Sequence, residues 1–195
     1  MLFANISTDK IHCIVDGNET IIEHGNLEKT IADFLYAQKD ITNALIINGP
    51  GSFTNLRIAT LGFNLYNFLH KLTTNFYTID KLTLYKKLYQ RNVIPRTGYI
   101  YIGQKRNRRK IDLENMHYEM TQDLSDENAF VDEVFEHEQK EGMVRFGWQD
   151  ENLMITYKNK ITELSLSDLE LEPIKVLEAN YMMEPNVTMR PETTK

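Results

Sequence analysis

Apolar residues come in short runs along the first ninety positions, and their spacing changes from run to run. "LFANIS" (2–7) and "IHCIVD" (11–16) have strand length and are separated by the polar "TDK"; "ETIIEHG" follows the turn residues "DGN". This predicts an opening meander of two or three antiparallel strands. From residue 26, Leu27, Ile31, Phe34 and Leu35 recur at helical spacing, with Asn26 placed as N-cap. "NALIIN" (43–48) reads as a strand covered on both faces. "NFYTID" (75–80) is a further strand, and "LTLYKKLYQ" (82–90) a helix. Strands laid down first as a meander and then through helical crossovers predict an α/β fold, a mixed sheet with helices packed on it.

Beyond "RNVIPRTG" (91–98) the pattern changes. "GYIYIG" (98–103) begins a strand, "QKRNRRK" (104–110) is its turn, and "IDLENMHYEMT" (111–121) reads as the returning strand. An acidic stretch from Glu119 to Glu141 reads as solvated helix or loop, and its pairs Asp132/Glu133 and Glu136/Glu138 as solvated charge. "MVRFGW", "LMITYK" and "ITELSL" follow as strands. A boundary near residue 91 therefore divides a lobe at 1–90 from a smaller, strand-rich lobe at 91–195. No internal repeat stands out.

Between "NALIIN" and "NFYTID" lies a helix predicted over 54–72. At 100° per residue, Ile58, Leu61, Leu65, Phe68, Leu69 and Leu72 make one apolar stripe, and Leu56, Ala59, Phe63 and Tyr66 a second. Only a narrow strip of Arg57, Thr60, Asn64, Asn67 and Lys71 is polar. A helix lying on a sheet buries one side, so one stripe is surplus. The second stripe is covered by a neighbouring helix such as 26–38, or it is a docking surface. On the docking alternative the contact residues are Leu27, Ile31, Leu56, Ala59, Phe63, Tyr66 and His70. Exposing Leu56, Phe63 and Tyr66 together would forgo roughly 5 kcal/mol, and such patches usually mark a partner surface.

Composition narrows the chemistry. The single cysteine, Cys13, excludes an internal disulfide framework and fits a reducing compartment. The five histidines lack the spacing by which two imidazoles on one helix share a metal. A net charge of −6 argues against general polyanion binding, which depends on Lys and Arg at the phosphates. The exception is "QKRNRRK", which reads as a solvated hairpin tip or as an RNA contact through Lys105, Arg106, Arg108 and Arg109. No stretch approaches the ~18 apolar residues of a membrane span, so the expectation is a cytoplasmic chain.

The loop "GPGSFTN" (49–55) has the glycines of a phosphate cradle without its lysine. A helix dipole supplies only about 0.3–2 kcal/mol, whereas even millimolar affinity needs roughly 4 kcal/mol. Ser52 and Thr54 stand where a hydroxyl caps the helix that follows.

"GPGSFTNLRIATLGFNL" resembles the Gly-Pro-Gly-Ser-Phe-Thr-Gly-Leu-Arg motif and following helix of the TsaB (YeaZ) family, through Gly49, Pro50, Gly51, Ser52, Phe53, Thr54, Leu56 and Arg57. In weaker support, "ANIST" keeps Ser7 and Thr8 of the family's first strand end, and His24 stands where the family has a histidine. The resemblance covers about residues 1 to 90. It implies an actin-like (ribonuclease H-like) fold with a reduced second lobe. It also implies a non-catalytic scaffold that pairs through helices with TsaD, which carries the metal and performs threonylcarbamoyl transfer to tRNA beside the anticodon. A TsaE-like ATPase joins the assembly, tRNA is met indirectly, and ATP and metal belong to the partner subunits. No cofactor, metal or catalytic residue is expected on this chain. Two positions depart from the pattern: Asn5 stands where actin-like phosphotransferases place a metal-side aspartate, and Asn55 replaces the motif's last glycine. The alternatives are an actin-like ATP-binding enzyme and a homodimer formed through the same helix.

Overall fold

The computed structural model describes residues 1–23, 25–38, 41–102, 108–123, 125–133 and 142–181. The opening apolar runs form β1 (Leu2–Asn5), β2 (Ile11–Val15) and β3 (Asn18–Ile22), an antiparallel meander turned at Asp16-Gly17, both at positive φ. Helix α1 (Leu27–Ala37) starts where the Asn26 side chain accepts a hydrogen bond from the Lys29 amide at 3.2 Å. It leads to β4 (Asn43–Ile47), which lies parallel to β1, with Asn5 opposite Ile47. Helix α2 (Phe53–Leu69) then crosses to β5 (Asn75–Ile79), parallel to β4. The sheet order is β3-β2-β1-β4-β5. Leu45, Ile46 and Ile47 are fully buried because both faces are covered: Ile46 packs with α1 and α2, and Leu45 and Ile47 pack with the part of the chain that follows β5.

Helix α3 (Lys81–Gln90) is capped by Asp80, whose carboxylate accepts from the Thr83 amide. It packs Leu82, Leu84, Tyr85 and Leu88 against Phe3, Ile47 and Ile79 on one side and Ile100, Ile111 and Phe130 on the other, so one core runs through both lobes. The second sheet holds β6 (Thr97–Tyr101), β7 (Arg108–Asp112), β8 (His117–Met120) and β9 (Phe130–Val131) in the order β8-β7-β6-β9. The returning strand expected over 111–121 is thus interrupted: residues 113–116 turn, with Met116 at positive φ. Asp112 stabilises that turn by accepting from the Glu114 amide and the Asn115 side chain. The two sheets start alike: an antiparallel three-strand meander, then a strand parallel to the first. This repeated topology has no counterpart in sequence self-similarity.

A third sheet of β10 (Arg145–Gln149), β11 (Asn152–Tyr157) and β12 (Lys160–Ser165) follows, then the single-turn α4 (Leu166–Leu169) with a Ser165/Asp168 capping box. Residues 174–181 return to the first lobe, where Ile174 bridges Phe76 at the free edge of β5. Among the described residues no helix is long and apolar enough to cross a membrane.

Candidate docking surface

α2 has two apolar arcs, and the sheet takes the one expected to face outward. Leu56 and Ala59 are fully buried, Phe63 and Tyr66 nearly so, and Leu27 and Ile31 of α1 lie in the same core. These six are not an interface within a folded chain. Two contacts explain the choice. Phe63 meets Phe76 edge-on at 6.3 Å between ring centres, and the Tyr66 hydroxyl accepts from the Ile41 amide at 3.3 Å. α1 comes close because Gly62 carries no side chain: a Cβ there would stand 2.7 Å from Ile31 Cγ2. His70, the seventh expected contact, is exposed at the helix end and stacks on Tyr66 at 4.2 Å.

The opposite arc is left in water. Leu61, Leu65, Phe68 and Leu69 are 65, 53, 70 and 69% exposed, and Leu72, just past the helix, 45%. At 100° per residue the four on the helix span roughly 100° of circumference, a continuous stripe. The helix ends at Leu69, three residues short of expectation, because Lys71 and Leu72 take positive φ and turn the chain toward β5. Tyr36 on α1 is 90% exposed. Arg57 and Lys71 are exposed along the arc's margin. Single exposed apolar residues are ordinary, but a contiguous row on one helix marks a contact surface.

The loop before α2 is a packed junction. Gly49 and Pro50 are joined by a cis peptide bond. A Cβ on Gly51 would stand 1.6 Å from the Ser7 carbonyl oxygen, and one on Gly49 2.0 Å from that of Asn180, so both glycines serve close backbone approach. Ser52 caps the helix by accepting from the Asn55 amide, while the Phe53 ring meets that of Tyr181 at a tilt, 4.8 Å between centres. Asn55, fully buried, donates to the carbonyls of Thr8 and Asp9 at 2.9 and 3.1 Å. The departure from glycine thus ties the β1–β2 turn to α2. Thr54 and Arg57 are exposed on the first turn. His24 lies outside the described residues.

Between the lobes runs a buried polar seam that charge-counting along the sequence misses. Asp132 is fully buried and Glu133 nearly so, against the expectation of solvated charge. Phe130 and Val131 form β9 beside β6, which carries the two carboxylates that follow into the interior. Asp132 accepts from Lys81 Nζ at 2.7 Å, the Tyr101 amide at 3.0 Å and the Tyr85 hydroxyl at 2.5 Å. Burial first, and the Asp132 charge second, push the Tyr85 phenol well above its ordinary range. Glu133 accepts from Asn5 Nδ2 at 2.9 Å and the Phe146 amide at 3.0 Å, with His12 Nδ1 3.7 Å away. Asn5 in turn accepts from the Ser7 amide and hydroxyl. An amide at position 5 can donate to Glu133, which an ionised aspartate cannot; the neutral residue is matched to this seam. Glu136 and Glu138 lie outside the described residues. Burial pushes the Cys13 thiol up to about 12, so it is protonated and unreactive near neutrality.

The basic hairpin divides between faces. Lys105 and Arg106 lie outside the described residues. Arg108 and Lys110 share one face of β7, and Arg109 takes the other with buried Ile111, because side chains alternate along a strand. Arg108 lies over the Tyr101 ring and Arg109 over that of Tyr118, each at 5.3 Å, and Lys110 pairs with Asp126 at 3.2 Å. The described cations do not make one phosphate-facing row.

No family model matches the chain, and no curated protein matches it. Among solved structures it is similar to YeaZ from Pseudomonas aeruginosa, at 16% identity and a TM-score of 0.35, over 63% of this chain and 64% of that one. It is also similar to an uncharacterized protein with similarity to peptidase YEAZ from Pseudomonas aeruginosa, at 16% identity and a TM-score of 0.36, over 67% of this chain and 74% of that one. The match thus spans just under two thirds of the first YeaZ chain. What the chain is similar to is YeaZ, the family that residues 49–57 resemble.

Proposed function

We propose that this chain is a non-catalytic partner subunit that docks through the outer arc of α2 onto a TsaD-like protein and supports threonylcarbamoyladenosine modification of tRNA in the cytoplasm. The observation that carries the reading is the row Leu61, Leu65, Phe68, Leu69 and Leu72, exposed on the helix that follows the TsaB-like motif. The interface moves from the inner arc to the outer one, and the docking idea moves with it. Binding would act by population shift, through tighter contact with the partner's active conformation than with its inactive one. A TsaE-like ATPase joins the assembly, ATP and metal belong to the partner subunits, and tRNA is met indirectly.

The sheet order β3-β2-β1-β4-β5, repeated in part by β8-β7-β6-β9, supports an actin-like architecture. In that setting the place between the lobes belongs to a nucleotide. Here Lys81 bonds Asp132 and Asn5 bonds Glu133 in a buried polar seam, which supports the scaffold reading over ATP binding. Titration of the isolated chain with Mg-ATP should find no affinity better than about millimolar. The deciding experiment is co-expression with a TsaD-like protein and capture of the complex. Leu65→Asp and Phe68→Asp should abolish capture while the chain stays folded; capture at the unaltered level overturns the proposal. A native mass measurement of the chain alone shows whether the same arc pairs two copies.

A further inference from the structure

The described C-terminal residues, 174–181, form an extended segment held largely by asparagine side chains. Ile174 exchanges both backbone hydrogen bonds with Phe76, at 2.8 and 2.9 Å. Asn67 donates to the Lys175 carbonyl at 2.8 Å. Asn64 reads both backbone groups of Leu177, donating to its carbonyl at 2.9 Å and accepting from its amide at 2.8 Å. Asn48 donates to the Glu178 carbonyl, and the Asn48 carbonyl accepts from the Asn180 amide, both at 2.9 Å. Leu177 is buried in the helix-layer core, with Ala179 and Tyr181 packed against it, while Lys175, Val176 and Glu178 are exposed. After a bend at residues 175–176, Leu177, Ala179 and Tyr181 turn inward at every second position, so this last part lies as a strand does.

Its contacts follow one side of α2, from Asn67 near the C-terminal end to Phe53 at the start. Thus the side of the polar strip that holds Asn64 and Asn67 is a track for this segment. At its end the segment reaches the motif loop: the Asn180 carbonyl occupies the space that only a glycine at position 49 leaves open, and the Tyr181 ring covers Phe53. The Gly49 carbonyl in turn accepts from the Lys81 amide at the head of α3. Holding is local and shallow: among the described residues the Ile174 bridge is the segment's only strand pairing, and Leu177 its one deeply buried apolar anchor. Segments with few buried contacts open at low free energy.

We infer that residues 174–181 are a strap whose seating holds the motif loop and the first turn of α2, and so decides whether the outer arc is presented in its docking orientation. The strap continues from β12 and α4, so it reports the state of the second lobe to the helix on the first. The part concerning docking rests on the proposed partner reading; the coupling of strap to loop does not.

The test uses the full chain with Asn64→Leu, which removes both bonds to Leu177, and Tyr181→Ala, which removes the ring on Phe53 together with its packing against the helix-layer core. Amide hydrogen exchange, read residue by residue without partner, should quicken about tenfold or more at Leu177 and Asn180, and also at Ser52, Leu56 and Lys81. In the capture assay the same variants should weaken binding of the TsaD-like protein about tenfold, although neither residue lies on the outer arc. Faster exchange confined to 174–181, with Ser52, Leu56 and Lys81 unchanged in both variants, overturns the strap. If Phe68→Asp leaves capture unaltered, the docking reading falls, and the exchange result alone decides the strap.

Discussion

The inner and outer arcs of α2 are both apolar and have opposite fates. Leu56, Ala59, Phe63 and Tyr66 are sealed against the sheet and α1, while Leu61, Leu65, Phe68 and Leu69 stand in water one half-turn away. Burial of a large apolar side chain is worth roughly 1.5–3 kcal/mol, so either arc could drive the helix onto the sheet. The inner arc wins because it brings shape and a polar fit as well: Phe63 against Phe76, the Tyr66 hydroxyl on the Ile41 amide, and Gly62 beside Ile31. Hydrophobicity says that a helix face leaves water; complementarity says which face and against what.

The sharpest break of that contrast is Phe63→Asp. Truncation of a buried Phe costs about 3–5 kcal/mol, and an unpaired buried carboxylate adds to it, a loss comparable to the whole stability of a small domain. Circular dichroism should find no cooperative unfolding transition; a melting temperature close to the unaltered chain's would mean that the arc is not core. Next comes Asn5→Asp, which turns a donor to Glu133 into a second carboxylate in the buried seam. Like charges this close disfavour joint ionisation, so the variant should lose on the order of 3 kcal/mol at neutral pH and recover part of it on acidification. Denaturant titration at two pH values reads this, and equal loss at both would remove the charge argument.

Phe68→Asp makes the opposite test on the outer arc. Its effect on unfolding should stay within about 0.5 kcal/mol, with the whole consequence falling on partner capture. A large loss of stability would show that the arc is covered within the chain. The smallest effect belongs to an exposed polar contact. Asp168 is held at about 2, first by the Ser165 hydroxyl and amide and then by Arg91, below its ordinary 3.8. A depressed carboxylate contributes stability above its unfolded value that is lost as pH falls through the folded one. Stability should therefore decline between about pH 4 and pH 2, and Asp168→Asn should flatten part of that decline. An identical acid profile in the variant would show that the capping box is energetically silent.

Much of the architecture was legible because local rules act locally. The meander at residues 2–22, the Asn26 cap, the apolar strand at 43–47 and the hairpins after residue 143 follow from side-chain period and turn residues. The candidate surface was legible only as a surplus: the helix after the motif has more apolar circumference than a sheet covers. Which arc remained outside was misread, since neighbouring residues 63 and 65 differ only in what three-dimensional partners await them. Asp132 and Glu133 were misread for the same reason. Charge predicts solvent until a structure supplies Lys81, Tyr85, Asn5 and the Phe146 amide from distant parts of the chain.

By itself, then, the order of residues determined the elements, their alternation, and a glycine-proline loop poised for close packing before a helix apolar on two sides. Only the tertiary structure decided the winning arc, the inward turn of two carboxylates, and the path of residues 174–181 along Asn64 and Asn67. The physical reason is range. Period, caps and turns are satisfied within a few residues, whereas burial and hydrogen-bond pairing depend on groups tens to more than a hundred positions away, which no local pattern records.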